Sequence, residues 1–229
     1  MGTERICILK IFRHKPESGK APGYQDFRVK ATSEMTILDA LDKIRLEQDT
    51  SLMYRHSCHH SSCGTCACKI NGKEALACVT KLYDFEENSI TVEPLEGLKL
   101  IGDLVVDMSD FKRKIPGDFS YHKKCGRVAP EQKSEAVENI SRLEDCIECA
   151  SCYSACPVAG GDKPFLGPAA MAAYNNELKK FPGKASELLP VIKGDNGEKL
   201  CERAIACSRV CPTKVAPAKH IAELRKNDA

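Results

Sequence analysis

The chain of 229 residues has no tryptophan, and no apolar stretch in it approaches the roughly 18 residues that cross a bilayer. The expectation is a soluble or peripheral protein. The opening residues, Met1-Gly2-Thr3-Glu4-Arg5-Ile6-Cys7, lack a basic segment followed by a long apolar one, so they do not read as a secretory signal. Ile6 breaks the myristoylation pattern, and no twin-arginine pair precedes an apolar run. Also missing are a G-x-G-x-x-G after a strand, a P-loop and a nucleophile elbow, which removes dinucleotide, nucleotide and serine-hydrolase chemistry. A formal net charge of +2 is too small to point to nucleic acid. Residues 1–110 carry 14 Lys/Arg against 17 Asp/Glu, and residues 111–229 carry 20 against 15. Solvated surface charge accounts for that imbalance.

Cysteine, by contrast, is abundant, with fourteen in the chain. In a secreted chain that number would suggest disulfides. Without an export signal, the thiols are expected to stay reduced in a cytoplasm and to bind metal. Three cysteine runs stand out. The first is Cys58-x4-Cys63-x2-Cys66-x11-Cys78. The second is Cys146-x2-Cys149-x2-Cys152-x3-Cys156-Pro157, and the third is Cys201-x5-Cys207-x3-Cys211-Pro212.

The periodicity around these runs predicts two domains. Residues 4–13 alternate as a strand with Cys7, Leu9 and Ile11 on one face, and Tyr24 to Ala31 reads as a second strand. Thr36 caps a helix whose Ile37, Leu38, Leu41 and Ile44 form one stripe. A loop from about Ser51 to Cys66 follows. Cys68 to Ile70, then Asn71-Gly72, then Glu74 to Val79 predicts a hairpin, because Asn-Gly suits the left-handed residues of a tight turn. Ile90 to Val92 is a further strand. This order is that of a β-grasp sheet gripping one helix. The texture changes near residue 110. Residues 111–135 read as a linker, with Pro116, Gly117, Gly126 and Pro130 among many charges. Helical patterns follow at roughly 136–145, 168–180, 184–192, 197–207 and 215–226. The fold class is therefore α+β: an N-terminal β-grasp [2Fe–2S] ferredoxin-like domain over 1–110 and a C-terminal all-α ferredoxin-like domain over 136–229.

Four thiolates suit a [2Fe–2S] cluster, and Cys58, Cys63, Cys66 and Cys78 supply them, the hairpin returning Cys78 to the loop. Gly64 lets backbone N–H groups approach sulfur closely. Zinc also takes four cysteines, but the one-sided loop with a distant fourth ligand favours iron–sulfur. With all four positions filled by Cys, His56, His59 and His60 are not ligands. They read as exposed loop residues that tune potential or touch a partner.

The x2, x2, x3-Cys-Pro run is that of bacterial ferredoxins, in which the fourth Cys of a run serves the other cluster. Crossing the runs pairs Cys146, Cys149 and Cys152 with Cys211, a complete [4Fe–4S] site. The other site receives Cys156, Cys201 and Cys207. Its loop is the ferredoxin run with the second Cys replaced by Ala204, which cannot ligate iron, so the expectation is [3Fe–4S]. Pro157 and Pro212 turn the chain away from each cluster. Of the remaining cysteines, Cys7 and Cys68 fall in strands and read as small buried apolar residues. Cys125, in the linker, has no assigned role. No catalytic set emerges, so substrate chemistry belongs on another subunit.

Taken together, these motifs resemble the iron–sulfur subunit of the succinate dehydrogenase and fumarate reductase family, the complex II family. The resemblance covers nearly the whole chain. It rests on Arg55-x-Ser57-Cys58-x4-Cys63-Gly64-x-Cys66, on Asp103 to Phe111, on both C-terminal runs with Ala204, and on Gly167-Pro168-Ala169-Ala170. It implies a partner flavoprotein that interconverts succinate and fumarate at FAD. Electrons would cross the [2Fe–2S], [4Fe–4S] and [3Fe–4S] clusters in that order to a quinone at a membrane anchor. The chain would then sit peripherally on the inner, cytoplasmic face of the cell membrane. Ubiquinone-reducing members usually carry tryptophans shortly after the Cys-Pro of the second run and often have His after the first cysteine of the third. Here Val158-Ala159-Gly160-Gly161 and Glu202 occupy those places. A low-potential quinone is therefore expected. The alternative is the same three-cluster module in a soluble flavoenzyme complex, and a third reading is a zinc-binding interaction module without redox chemistry.

Overall fold

Alternating apolar residues place the first two strands, β1 (Arg5–Arg13) and β2 (Gly23–Ala31), side by side and antiparallel. Cys7, Leu9 and Ile11 of β1 and Phe27, Val29 and Ala31 of β2 turn one face into the core. These features come from a computed structural model that describes residues 5–19, 21–116 and 143–226. The helix α1 (Ile37–Glu47) begins at Thr36 with a reciprocal cap. The Asp39 N–H donates to Thr36 Oγ1 (3.1 Å), and the Thr36 N–H donates to Asp39 Oδ2 (2.9 Å). Its buried stripe is Ile37, Leu38, Ala40, Leu41 and Ile44, the Ile and Leu side chains each worth roughly 1.5–3 kcal/mol of apolar burial.

The hairpin of β3 (Ala67–Ile70) and β4 (Lys73–Leu76) turns through Asn71 (φ 48°) and Gly72 (φ 75°). β5 (Ser89–Glu93) then enters the middle of the sheet, parallel to β1 and antiparallel to β3. The order β2-β1-β5-β3-β4 is the β-grasp arrangement expected. One expected boundary moves. The strand over 74–79 ends at Leu76, because the N–H groups of Val79 and Thr80 both turn back to the Leu76 carbonyl, swinging Cys78 toward the cysteine loop.

A short ribbon, β6 (Leu100–Gly102) and β7 (Val105–Val106), was not anticipated. It is secured by Asp103, which is fully buried. Asp103 accepts from the His14 N–H (2.8 Å) and the Met53 N–H (2.9 Å), and its carboxylate lies 3.2 Å from Arg13 Nε. α2 (Ser109–Lys114) takes up the first residues of the expected linker. The expected helix over 136–145 lies mostly outside the described residues, as does Cys125, and Leu143–Asp145 forms a single 3-10 turn.

The second half is helical: α3 (Ser151–Ser154), α4 (Pro168–Lys180), α5 (Ala185–Lys193), α6 (Ala206–Arg209) and α7 (Pro217–Lys226). The continuous helix expected over 197–207 is not formed. A 3-10 turn at Glu198–Leu200 and the short α6 flank a loop in which Arg203 and Ile205 both have φ of 60°. No α-helix passes through two such residues. The two halves share one core. Between them, the buried Ser154 hydroxyl donates to Glu74 Oε1 and accepts from the Glu96 N–H, both at 2.8 Å. Gly97 and Gly160 meet backbone to backbone. A Cβ on Gly160 would lie 2.3 Å from the Gly97 Cα.

α4 and α7 enclose a buried polar pair. Asn175 Nδ2 donates to His220 Nδ1 (2.9 Å) and to Glu223 Oε2 (2.7 Å). Burial holds the His220 pKa below its usual value, with Glu223, Lys179, Lys219 and Glu144 as its charged neighbours. The unfolded chain therefore takes up a proton below about pH 6.5 that the folded chain resists, so stability falls as pH drops through that value. The limiting slope is about 1.4 kcal/mol per pH unit for one proton. Between pH 7 and pH 5 the unfolding midpoint is expected to fall less in His220→Leu than in wild type. Equal slopes in a thermal-melt series would show that His220 does not titrate on unfolding.

Candidate iron–sulfur centres

The loop between α1 and β3 winds so that its amides face inward. His59 (φ 60°), Ser61 (φ 59°) and Gly64 (φ 67°) take left-handed conformations between ordinary residues. Such alternation makes a concave nest of N–H groups suited to anions. The His60, Ser62 and Cys63 N–H groups lie 3.5, 3.3 and 3.4 Å from Cys58 Sγ. The Ser61 N–H donates to Cys78 Sγ at 3.3 Å, which ties the hairpin's far end to the loop. The amides, led by that of His60, bring the Cys58 pKa down to about 7, and burial pushes Cys66 up to about 12. The structure thus brings Cys58, Cys63, Cys66 and Cys78 to one loop. His56, His59 and His60 are exposed beside it, and Cys7 and Cys68 are buried in the sheet.

Cys146, Cys149, Cys152 and Cys211 line one small cavity with Ala150, Val215 and their neighbours. Cys156, Cys201, Ala204 and Cys207 line a second, larger space of about 630 Å³. The crossing of the fourth cysteines is thus a feature of the backbone path. Sulfur again receives amides: Val215 N–H to Cys211 Sγ at 3.3 Å and Ala159 N–H to Cys156 Sγ at 3.4 Å. Burial pushes Cys149 and Cys152 up and takes Cys207 to about 11. Thiols so placed ionise only if a cation takes up the charge, which iron does. Among the described residues, no three His, Cys, Asp or Glu side chains gather around a single metal ion. The cysteine thiols line shared spaces, a donor set that fits polynuclear clusters.

The two C-terminal loops are copies in backbone conformation. Glu148 (φ 50°) and Ala150 (φ 63°) stand two and four residues after Cys146, and Arg203 and Ile205 stand two and four after Cys201. Each second left-handed residue starts a four-residue helix, α3 or α6. Ala204 therefore occupies the place of Cys149.

The three groups also lie in series. A Cβ built on Gly64 would lie 2.7 Å from Cys149 Cβ and 2.8 Å from the Ile147 carbonyl, so the first loop rests directly on the second. Cys152 stands on α3, which packs on α6, the helix that carries Cys207.

Residues 8–113 match the family described as a 2Fe-2S iron-sulfur cluster binding domain, and residues 142–215 match the 4Fe-4S dicluster domain. A fumarate reductase iron-sulfur subunit from Mycobacterium tuberculosis is 35% identical over 219 residues, covering 92% of this chain and 88% of the relative. This chain belongs to the complex II iron–sulfur subunits. A succinate dehydrogenase iron-sulfur subunit from Coxiella burnetii is 34% identical over 225 residues, covering 95% and 94% of the two chains. The fold also matches a chain of the Mycobacterium smegmatis Sdh1 complex in the apo form. The TM-score is 0.74 at 22% identity, over 98% of this chain and 96% of that one. As a complex II iron–sulfur subunit, the protein is the electron-transfer component of an oxidoreductase, with a [2Fe–2S] and a [4Fe–4S] binding domain. None of its described helices is long and apolar enough to cross a membrane.

Spacing alone did not bring out two features of this complex II subunit. Gly64 is required against Cys149 as well as against sulfur. Arg55, noted only within the cysteine-loop motif, has a buried Nε and Nη2 without a hydrogen-bond partner. The Gly64 contact runs between the domains, where no local pattern records it.

Proposed function

We propose that the chain passes electrons one at a time from a flavoprotein, which binds residues 1–110, to a quinone at a membrane anchor beside residues 136–229. The order is a [2Fe–2S] cluster on Cys58, Cys63, Cys66 and Cys78, a [4Fe–4S] cluster on Cys146, Cys149, Cys152 and Cys211, and a [3Fe–4S] cluster on Cys156, Cys201 and Cys207. Residues 111–135 link the two domains. The reading rests on one observation: the first cysteine loop meets the second at Gly64 and Cys149, and α3, which carries Cys152, packs on α6, which carries Cys207. Iron–sulfur clusters supply one-electron storage at potentials set by charge, hydrogen bonds and exposure. The protein's own contribution is the thiolates, the amides aimed at them, and burial that excludes water. The partner carries FAD and the succinate or fumarate site, since this chain offers no catalytic set of its own.

The space around Cys156, Cys201 and Cys207 supports an acceptor at that end. It is lined by Val158, Phe165 and Ile221, with the half-exposed Ile205 at its edge. An anchor there would hold the chain on the inner face of the membrane. Charge at the same place favours the alternative, a soluble acceptor: Glu202 lines the space and pairs with Lys163 at 3.0 Å. Gentle purification separates the two readings. An integral membrane polypeptide is expected to co-purify, with quinol or quinone turnover retained. A wholly soluble, active complex would replace the quinone reading with the soluble one.

A further inference from the structure

Arg55 lies on the loop that follows α1, three residues before Cys58. Its Nε and Nη2 are buried and have no hydrogen-bond partner. Among the described residues no carboxylate pairs with it; burial acts first and against its charge, and Cys68, Cys66 and Cys149 act in its favour. Two of these are proposed ligands, one on each side of the Gly64 contact. Isolated buried charge is expensive, costing several kcal/mol when nothing opposes it. Thiolate-ligated iron–sulfur clusters carry net negative charge and sulfur acceptors, and so supply both things the guanidinium lacks.

We propose that Arg55 is the countercharge between the first two centres, its unpartnered N–H groups donating to cluster sulfur and raising both reduction potentials. The inference rests on the cluster assignment above. A fixed positive charge favours the state with the extra electron, and hydrogen bonds to sulfur act in the same direction. One electron moves from the first centre to the second with no bond made or broken and no proton required. It crosses the ground that Arg55 overlooks. Arg55 is thus a positioning residue for charge. It touches no substrate.

The test is a potentiometric titration of all clusters by electron paramagnetic resonance in the assembled complex, comparing wild type, Arg55→Gln and Arg55→Lys. Arg55→Gln is expected to weaken reduction of the first centre at least tenfold, about 59 mV for a one-electron couple. The second centre should move in the same direction. Arg55→Lys, which keeps the charge, is expected to retain more than half of the effect. The centre on Cys156, Cys201 and Cys207, none of which is among the groups acting on Arg55, should not move. Unchanged potentials in Arg55→Gln would overturn the proposal. So would an equal loss in Arg55→Lys, or a fall in all three centres together, which would mark general loosening. If Arg55→Gln fails to load, Arg55→Lys decides: normal loading and potentials support the charge role, and failure to load makes Arg55 a packing element. Wild-type complex without iron would sink the cluster assignment, a separate result.

Discussion

An Ala204→Cys chain is expected to lose the three-iron signal of the oxidised protein and to gain a four-iron cluster in its place. The two C-terminal loops set their left-handed residues at the same offsets, so the substituted thiol would stand where Cys149 stands in the neighbouring site. Ala204 already lines the same space as Cys156, Cys201 and Cys207. A fourth thiolate adds negative charge, so the potential should fall, on the order of 100 mV within the wide span that cluster type and charge produce. At about 59 mV per tenfold in a one-electron equilibrium, electron delivery to this centre becomes more than tenfold less favourable. Turnover should drop accordingly while the first two centres keep their spectra. Low-temperature resonance spectra together with iron counts give the answer. A three-iron signal that survives the substitution would mean that residue 204 does not face the cluster.

Gly64→Ala should damage the junction between the first two centres. The left-handed φ of 67° costs a side-chain-bearing residue roughly 1–2 kcal/mol. The added methyl would also press on Cys149 Cβ at 2.7 Å and on the Ile147 carbonyl at 2.8 Å. Neither is the yielding end of a flexible side chain, so overpacking adds about 1–3 kcal/mol. The expected outcome is a lower melting temperature with slower reduction of the second centre once the first is reduced. Rapid-freeze resonance measurements resolve the two steps. Wild-type melting and wild-type transfer together would show that the loops have slack.

Much of this was legible because it is local. β1, β2 and α1 follow from period-two and helical spacing of Leu9, Ile11, Leu41 and Ile44, and Asn71-Gly72 announces its turn. The cysteine runs announce their chemistry, because ligand spacing is a local constraint too. Where the reading failed, a site had bent the chain. Residues 197–207 carry helical apolar spacing, yet Arg203 and Ile205 turn left-handed to wrap the space beside Cys201. The strand expected to Val79 stops at Leu76 so that Cys78 can return. The buried Asp103 and the Ser154–Glu74 bond join residues far apart in sequence, and periodicity carries no signal for them.

The meeting of Gly97 and Gly160 has a further consequence. With two main chains pressed together there, a side chain on either glycine would have to push the halves apart, so their spacing at this point is set by the lack of a Cβ.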